Sequence, residues 1–230
     1  MEKIMMTKYI CLEGGEGTYK TTTSKLLAST LYGMGFTVLE TKEPGTGHLP
    51  LTIKLRELML SLDYSSQLTP LARELISQSI RSIHLDQLIT PAITEDKYDF
   101  IIQDRGILSG RIYAKACGHD ISDILALEKQ TTKSFFQATE RQQVYDHVFI
   151  FRHKAKSVED ALQSAKDKAE FASGDAMENM GTDFHTFVNN AYDHKYYCKN
   201  GLAKKLDSIV VDGKSTEDLV NMILALSIDW

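Results

Sequence analysis

Tyr9-Ile10-Cys11-Leu12-Glu13-Gly14-Gly15-Glu16-Gly17-Thr18-Tyr19-Lys20-Thr21-Thr22 decides the fold. A short apolar run gives way to a glycine-rich turn and then to a helix-period segment, Lys20 to Tyr32, so a strand, a tight loop and a helix follow one another. The loop nearly fits G-x-x-x-x-G-K-[ST], in which backbone N–H groups surround a phosphate at a helix N-terminus, the lysine neutralises charge and the hydroxyl reaches Mg²⁺. Gly14, Lys20 and Thr21 match, but Tyr19 stands where the second glycine belongs. If that position needs positive φ, a tyrosine costs about 1–2 kcal/mol there. A plain glycine-rich strand-to-helix turn is the alternative. Against it, the strand, the helix and the lysine–threonine pair all stand where phosphate chemistry needs them. On the phosphate reading Gly14, Gly15, Gly17, Thr18, Tyr19, Lys20, Thr21 and Thr22 form the donor site, and Thr21 reaches the metal.

Outward from this loop, further short apolar runs occur at Thr37-Val38-Leu39, Phe100-Ile101-Ile102, Val148-Phe149-Ile150-Phe151 and Ile209-Val210-Val211. Helix-period segments lie between them, over 51–61, 69–94, 121–141, 157–171, 184–205 and 216–227. Strands alternating with helices imply an α/β fold, a parallel sheet covered on both faces. Ligands of such sheets sit at the carboxyl ends of the strands. Pro44, Pro50, Pro70 and Pro91 punctuate the first half only, and neither a linker nor a repeat interrupts the chain. One domain over 1–230 is therefore expected.

Composition narrows the function classes. Lys plus Arg is 26 against 31 for Asp plus Glu, a formal net charge of −5, so no global positive field draws the chain to nucleic acid. The three cysteines, Cys11, Cys117 and Cys198, are far apart and lack C-x-x-C spacing, which fits reduced thiols in the cytoplasm. No stretch of about 18 apolar residues exists to span a membrane. Cys117-Gly118-His119-Asp120 lacks a second ligand pair, so zinc is a poor reading.

The chain resembles the thymidylate kinase family of P-loop nucleoside monophosphate kinases, in order and over nearly its whole length. Leu12-Glu13-Gly14-Gly15-Glu16-Gly17 is similar to the family's first loop, and Lys42-Glu43-Pro44-Gly45-Thr46 to its Arg-Glu-Pro-Gly-Gly-Thr loop. Leu55 to Leu60 matches a helix that carries Arg56, while Arg81-Ser82-Ile83-His84, Thr90-Pro91-Ala92 and Asp104-Arg105 match later motifs, with Ser109 and Tyr113 at matching offsets. Asp183-Phe184-His185 with Val188 and Tyr192 is similar to the helix after the mobile lid. The resemblance implies a five-stranded sheet of order 2-3-1-4-5 and a reaction in which Mg²⁺-bound ATP phosphorylates dTMP. It implies that Glu16 meets the deoxyribose, Arg56 and Arg105 the acceptor phosphate, and Arg81 with Tyr113 the nucleoside. Pro44, Ser77 and Ser109 then complete the acceptor site, and Asp104 joins Thr21 at the metal. A homodimer packed through helices and a lid around 166–182 are also implied.

Independently of the resemblance, phosphoryl transfer asks a protein to align two anions and to neutralise the moving charge. Lys20 supplies charge from the donor side, and Arg56 and Arg105 supply it from the acceptor side through planar forks that take two oxygens at once. A solvated Arg56 and an Asp104 that merely caps a strand are the plainer alternatives.

Two departures bear on function. Arg73, Ser77, Arg81 and His84 fall on one helix face, opposite an apolar stripe of Leu75, Ile76, Ile80 and Ile83, and this polar face is expected to line the acceptor pocket. The family's thymine-stacking phenylalanine is replaced by Ser77, a loss worth on the order of 1–3 kcal/mol unless Tyr113 or Tyr64 takes over. Ser77 with Gln78 instead suits a polar group at carbon 5, as in 5-hydroxymethyl-dUMP. The family's extra arginine is also missing, since its two positions hold Gly17 and Ala176. Lys166 and Lys168 are candidate replacements, and a catalytically weak nucleotide-binding protein is the rival reading.

Overall fold

The computed structural model describes residues 6–154, 176–177, 180–193, 195–198 and 202–227. Its sheet contains β1 (Lys8–Gly14), β2 (Val38–Lys42), β3 (Phe100–Asp104), β4 (Tyr145–Arg152) and β5 (Ala203–Val210), ordered β2-β3-β1-β4-β5. All four pairings are parallel, with Leu12 opposite Asp104 on one side of β1 and Phe149 on the other. This is the 2-3-1-4-5 order of the P-loop kinase fold.

Strand alternation divides the core. Tyr9, Cys11, Ile101, Val148 and Ile150 face one side, where they meet Ile107, Leu108 and Ile112 of α5 (Ile107–Ala116), Phe135 of α7 (Lys133–Thr139) and Val188 of α8 (Gly181–Ala191). Ile10, Leu12, Ile102, Phe149 and Phe151 face the other, against Leu27 and Leu31 of α1 (Lys20–Gly33) and Leu219 and Ile223 of α9 (Thr216–Ser227). Each fully buried aliphatic or aromatic side chain of this kind contributes about 1.5–3 kcal/mol.

The remaining helices are α2 (Pro50–Leu60), α3 (Pro70–His84), α4 (Thr90–Thr94) and α6 (Ile121–Thr131). Several differ from the periodicity. The long 69–94 segment is interrupted by a π-helical turn at Leu85–Ile89, where the Thr90 N–H reaches back to the Leu85 carbonyl. Pro91 cannot donate to the preceding turn, and a local change of register absorbs that loss. The 121–141 segment breaks at Thr132, whose hydroxyl bonds the Glu128 carbonyl at 2.8 Å and competes with the helical ladder. Helix α5 was not expected, because Gly106 and Gly110 lower its intrinsic propensity. The 184–205 segment is not one helix: α8 ends at Ala191, and Ala203–Lys205 belong to β5. That strand lies at the sheet edge with exposed Lys204 and Lys205, a lysine-bearing edge whose polarity hides it from an apolar-run search. The expected 157–171 helix lies outside the described residues.

On α3 the polar face lies inward, as expected, but the apolar stripe is only partly covered. Glu74, Gln78, Arg81 and His84 are buried with Ile80, while Leu75 is 45% exposed. The polar stripe faces inward because the groups it meets are themselves charged.

Candidate active site

The phosphate loop links β1 to α1. Tyr19 is left-handed, at φ 63°, ψ 13°, so the strain expected of a non-glycine residue there is present. Gly14, at φ 147°, allows a close approach to β4, since a Cβ would stand 2.3 Å from the Phe151 carbonyl oxygen. A Cβ on Gly15 would fall on the Asn189 side-chain amide of α8. Lys20 is 5% exposed and donates through Nζ to the Gly15 carbonyl and, at 3.0 Å, to Thr18 Oγ1. Burial, with Arg105 nearby, pushes its ammonium down to about 8 despite Glu16 and Asp104.

At the ends of β1 and β3 two further groups meet. Thr21 Oγ1 donates to Asp104 Oδ2 at 2.6 Å, and Asp104 Oδ1 is buried without a hydrogen-bond partner among the described residues. A hydroxyl beside a carboxylate with an unspent oxygen is a hard-oxygen donor set suited to Mg²⁺, which binds through one or two carboxylates and keeps several waters. Among the described residues there is no group of three or more His, Cys, Asp or Glu that would make an all-protein metal cage.

Arg105 follows Asp104 in the left-handed region, at φ 60°. That uncommon conformation, costing about 1–3 kcal/mol, turns its guanidinium back over the loop, where Nη1 donates to the Gly14 carbonyl at 3.1 Å and Nη2 pairs with Glu16. Tyr113 donates to Glu16 Oε1 at 2.8 Å, and its ring lies 5.6 Å from the Arg105 guanidinium carbon. Burial works against the Glu16 charge, but Arg105 and Lys20 outweigh it and hold the carboxyl at about 2.

A cavity of about 290 Å³ opens from this cluster. Glu16, Thr21, Asp104 and Arg105 stand at its phosphate-loop end, and Pro44, Arg56, Ser77, Ser109 and Tyr113 line it further on. Arg81 lies behind the wall. It is 3% exposed, bonds Glu43 Oε2 through Nε at 3.1 Å and packs against Gly110. Glu43 also holds His84 Nδ1 at 3.0 Å, and His84 Nε2 meets Thr41 Oγ1 at 2.9 Å. The Ser109 hydroxyl is engaged by the Glu13 carboxylate and by Tyr192 Oη at 2.7 Å.

Two expectations about the base end are corrected. Gln78 turns away from the cavity, spending its amide on Glu74 and its carbonyl on Thr131. Tyr64 is 49% exposed and outside the cavity wall. Arg73 lines the cavity as its place on the polar face of α3 predicts, and Glu74, His119 and His185, to which the sequence gives no role in the acceptor site, line it too. Glu74 was detectable one turn before Ser77, whereas His119 and His185 come from distant segments brought in by folding. Ala176 is buried and donates its N–H to the Leu60 carbonyl at 3.0 Å. Lys166, Lys168 and most of the expected lid, 166–175 and 178–179, lie outside the described residues.

A family model described as an AAA domain matches residues 9–189. The chain is also 31% identical over 161 residues to a thymidylate kinase of Colwellia psychrerythraea, covering 69% of this chain and 74% of that protein. It belongs to the thymidylate kinase family. A thymidylate kinase of Bartonella henselae is 37% identical over 105 residues, 46% of this chain. A probable thymidylate kinase of Pyrococcus horikoshii is 36% identical over 114 residues, 50% of this chain. The chain spans about half the length of these two relatives, 47% and 55% respectively. Within the thymidylate kinase frame the cavity at the strand ends and the glycine-rich loop are neighbouring compartments, bridged by Arg105.

Proposed function

We propose that this chain transfers the γ-phosphoryl group of Mg²⁺-bound ATP to a deoxypyrimidine nucleoside monophosphate, with dTMP, yielding dTDP and ADP, the acceptor that its relatives' names suggest. The observation that carries this reading is Arg105, which touches the phosphate loop at the Gly14 carbonyl and lines the second cavity beside Glu16.

Lys20 exchanges its contacts with the Gly15 carbonyl and Thr18 hydroxyl for donor phosphate oxygens. Thr21 and Asp104 hold Mg²⁺, which neutralises charge on the donor phosphates when bound. Arg56 and Arg105 grip the acceptor phosphate, and one of its oxygens, already ionised at neutral pH, attacks the γ-phosphorus while the bond to ADP breaks. No side-chain base is required. Glu16 meets the deoxyribose hydroxyl, Tyr113 and Ser77 face the nucleoside from the cavity wall, and Pro44 and Ser109 bound the site. Arg81 acts from behind the wall through Glu43, which lines the cavity. Since the chemistry is mainly alignment, effective concentration supplies most of the acceleration.

Leu71 and Leu75 of α3 are 54% and 45% exposed, an apolar surface suited to a second copy of the chain, and we propose a homodimer through this helix. No helix among the described residues is long and apolar enough to cross a membrane. Cys11, Cys117 and Cys198 are free thiols, in keeping with a cytoplasmic setting. The rival, nucleotide binding with little turnover, draws on Tyr19 in the phosphate loop together with Gly17 and Ala176 at the arginine positions.

A panel of nucleoside monophosphates with ATP and Mg²⁺, read by ADP release, tests the proposal. Deoxypyrimidine monophosphates should support turnover, and absence of ADP with every acceptor would reject it. The lowered Lys20 ammonium adds a pH signature: it loses its proton as pH rises through about 8, so ATP affinity should fall about 10-fold between pH 7 and 9. Calorimetric titration at the two values checks this, and a flat profile would show that Lys20 keeps its proton over this range.

A further inference from the structure

Beyond the phosphate and sugar positions, the cavity ends at Arg73, Glu74 and Ser77 of α3 and at Cys117 and His119 after α5. This end is polar. Glu74 is 6% exposed, and its Oε1 accepts from Gln78 Nε2 at 2.7 Å, while among the described residues no hydrogen bond reaches Oε2. His119 Nε2 is buried and has no hydrogen-bond partner among the described residues. Arg73 is anchored by Nη1 to the Met59 carbonyl, which fixes its guanidinium in the wall. Desolvation holds the Glu74 carboxyl above its ordinary value, although Gln78, Arg81 and His119 pull the other way.

Stacking is correspondingly weak. Tyr113 is the one phenylalanine, tyrosine or tryptophan among the described lining residues, and its hydroxyl is committed to Glu16. A methyl group on the base finds apolar lining in Met59, Leu60, Pro70 and Met177 but offers nothing to the buried His119 Nε2 or to the free Glu74 oxygen. A hydroxyl on the same carbon donates to Glu74 and accepts from Ser77 or His119.

We infer that, within the deoxypyrimidine class, the pocket prefers to dTMP a deoxyuridine monophosphate whose carbon-5 substituent ends in a hydroxyl, as in 5-hydroxymethyl-dUMP, with Glu74 and His119 the specificity-determining residues that read it. This rests on the phosphoryl-transfer reading above. Sites built to hydrogen-bond a substrate hydroxyl reject analogues lacking it by up to about 10⁴- to 10⁵-fold. For a cavity open at one end, a preference of about 10-fold or more over dTMP is expected.

The test compares 5-hydroxymethyl-dUMP, dTMP and dUMP on the full chain with ATP and Mg²⁺, as kcat/KM and, without ATP, as Kd by calorimetry. The hydroxymethyl nucleotide should lead on both scales. Glu74→Leu should bring the ratio to dTMP close to 1, Glu74→Gln should retain most of it, and Ser77→Phe should turn the preference toward dTMP. Purely structural roles would lower all three substrates together and leave the ratio unmoved. If Glu74→Leu melts early, the wild-type ratio and Ser77→Phe still decide. Turnover of dTMP equal to or better than the hydroxymethyl nucleotide overturns this inference and leaves the kinase reading standing. If no acceptor yields ADP, the kinase reading falls and the Kd ratio alone judges the pocket, with equal or weaker hydroxymethyl binding overturning it.

Discussion

Replacing Lys20 with methionine will lower kcat for phosphoryl transfer by about 10²- to 10³-fold, the range found when one preorganised donor is taken from developing charge. The ammonium is buried in the loop, against the Gly15 carbonyl and Thr18 hydroxyl, so it is oriented before substrate arrives. Methionine keeps the length and apolar volume of the stem and removes only the charge. Stability will move the opposite way. A lysine whose folded-state value drops from 10.5 to about 8 opposes folding at all pH below 8, and the opposition fades as pH rises from 8 to 10.5. The variant should therefore gain up to about 3 kcal/mol at pH 7, less whatever its two lost hydrogen bonds contribute. Single-turnover kinetics beside urea denaturation checks both directions. A variant with near-native turnover would remove Lys20 from the mechanism.

Glu43→Ala will destabilise the fold by about 3–5 kcal/mol, the cost of stranding a buried charge. Glu43 stands at the end of β2, 6% exposed, and holds both Arg81 and His84. Without it, the Arg81 guanidinium, itself 3% exposed, keeps its desolvation penalty and loses its carboxylate. Burial opposes the Glu43 charge, yet Arg81 and His84 together hold the carboxyl below its ordinary value. Its contribution is thus present above the ordinary glutamate range and disappears as pH falls through the lowered value. Glu43→Gln, which keeps the hydrogen-bonding shape, should lose less than Glu43→Ala. Urea unfolding at pH 7 measures these differences, and a loss under 1 kcal/mol for Glu43→Ala would mean that Arg81 finds another partner.

Much of the fold was legible because its strands are central and apolar, and the glycines and charges that follow them mark the loops at their carboxyl ends. The edge strand β5 was only partly legible, since Lys204 and Lys205 answer to solvent rather than to the core. The π-helical turn at Leu85–Ile89 answers to Pro91, whose missing donor leaves no trace in hydrophobic period. The site divides in the same way. Glu16, Thr21, Asp104 and Arg105 belong to local motifs, and their positions followed from those motifs. The pairing of Glu43 with Arg81, 38 positions apart, depends on how β2 and α3 meet, so a periodicity argument assigned the polar face of α3 to ligand when half of it neutralises another buried group. Glu74 and His119 were overlooked for a related reason: neither belongs to a recurring motif, and their proximity exists only after α3 and α5 have packed.

Gly15 and Asn189 contend for a single volume, although they stand 174 positions apart in the chain. Any side chain at the first position evicts the amide at the second, so the two are coupled, and a library that randomises one while fixing the other will sample mostly clashes. A substituted residue 15 is accommodated only when the Asn189 amide leaves its bond to the His185 carbonyl or the residue is shortened to alanine.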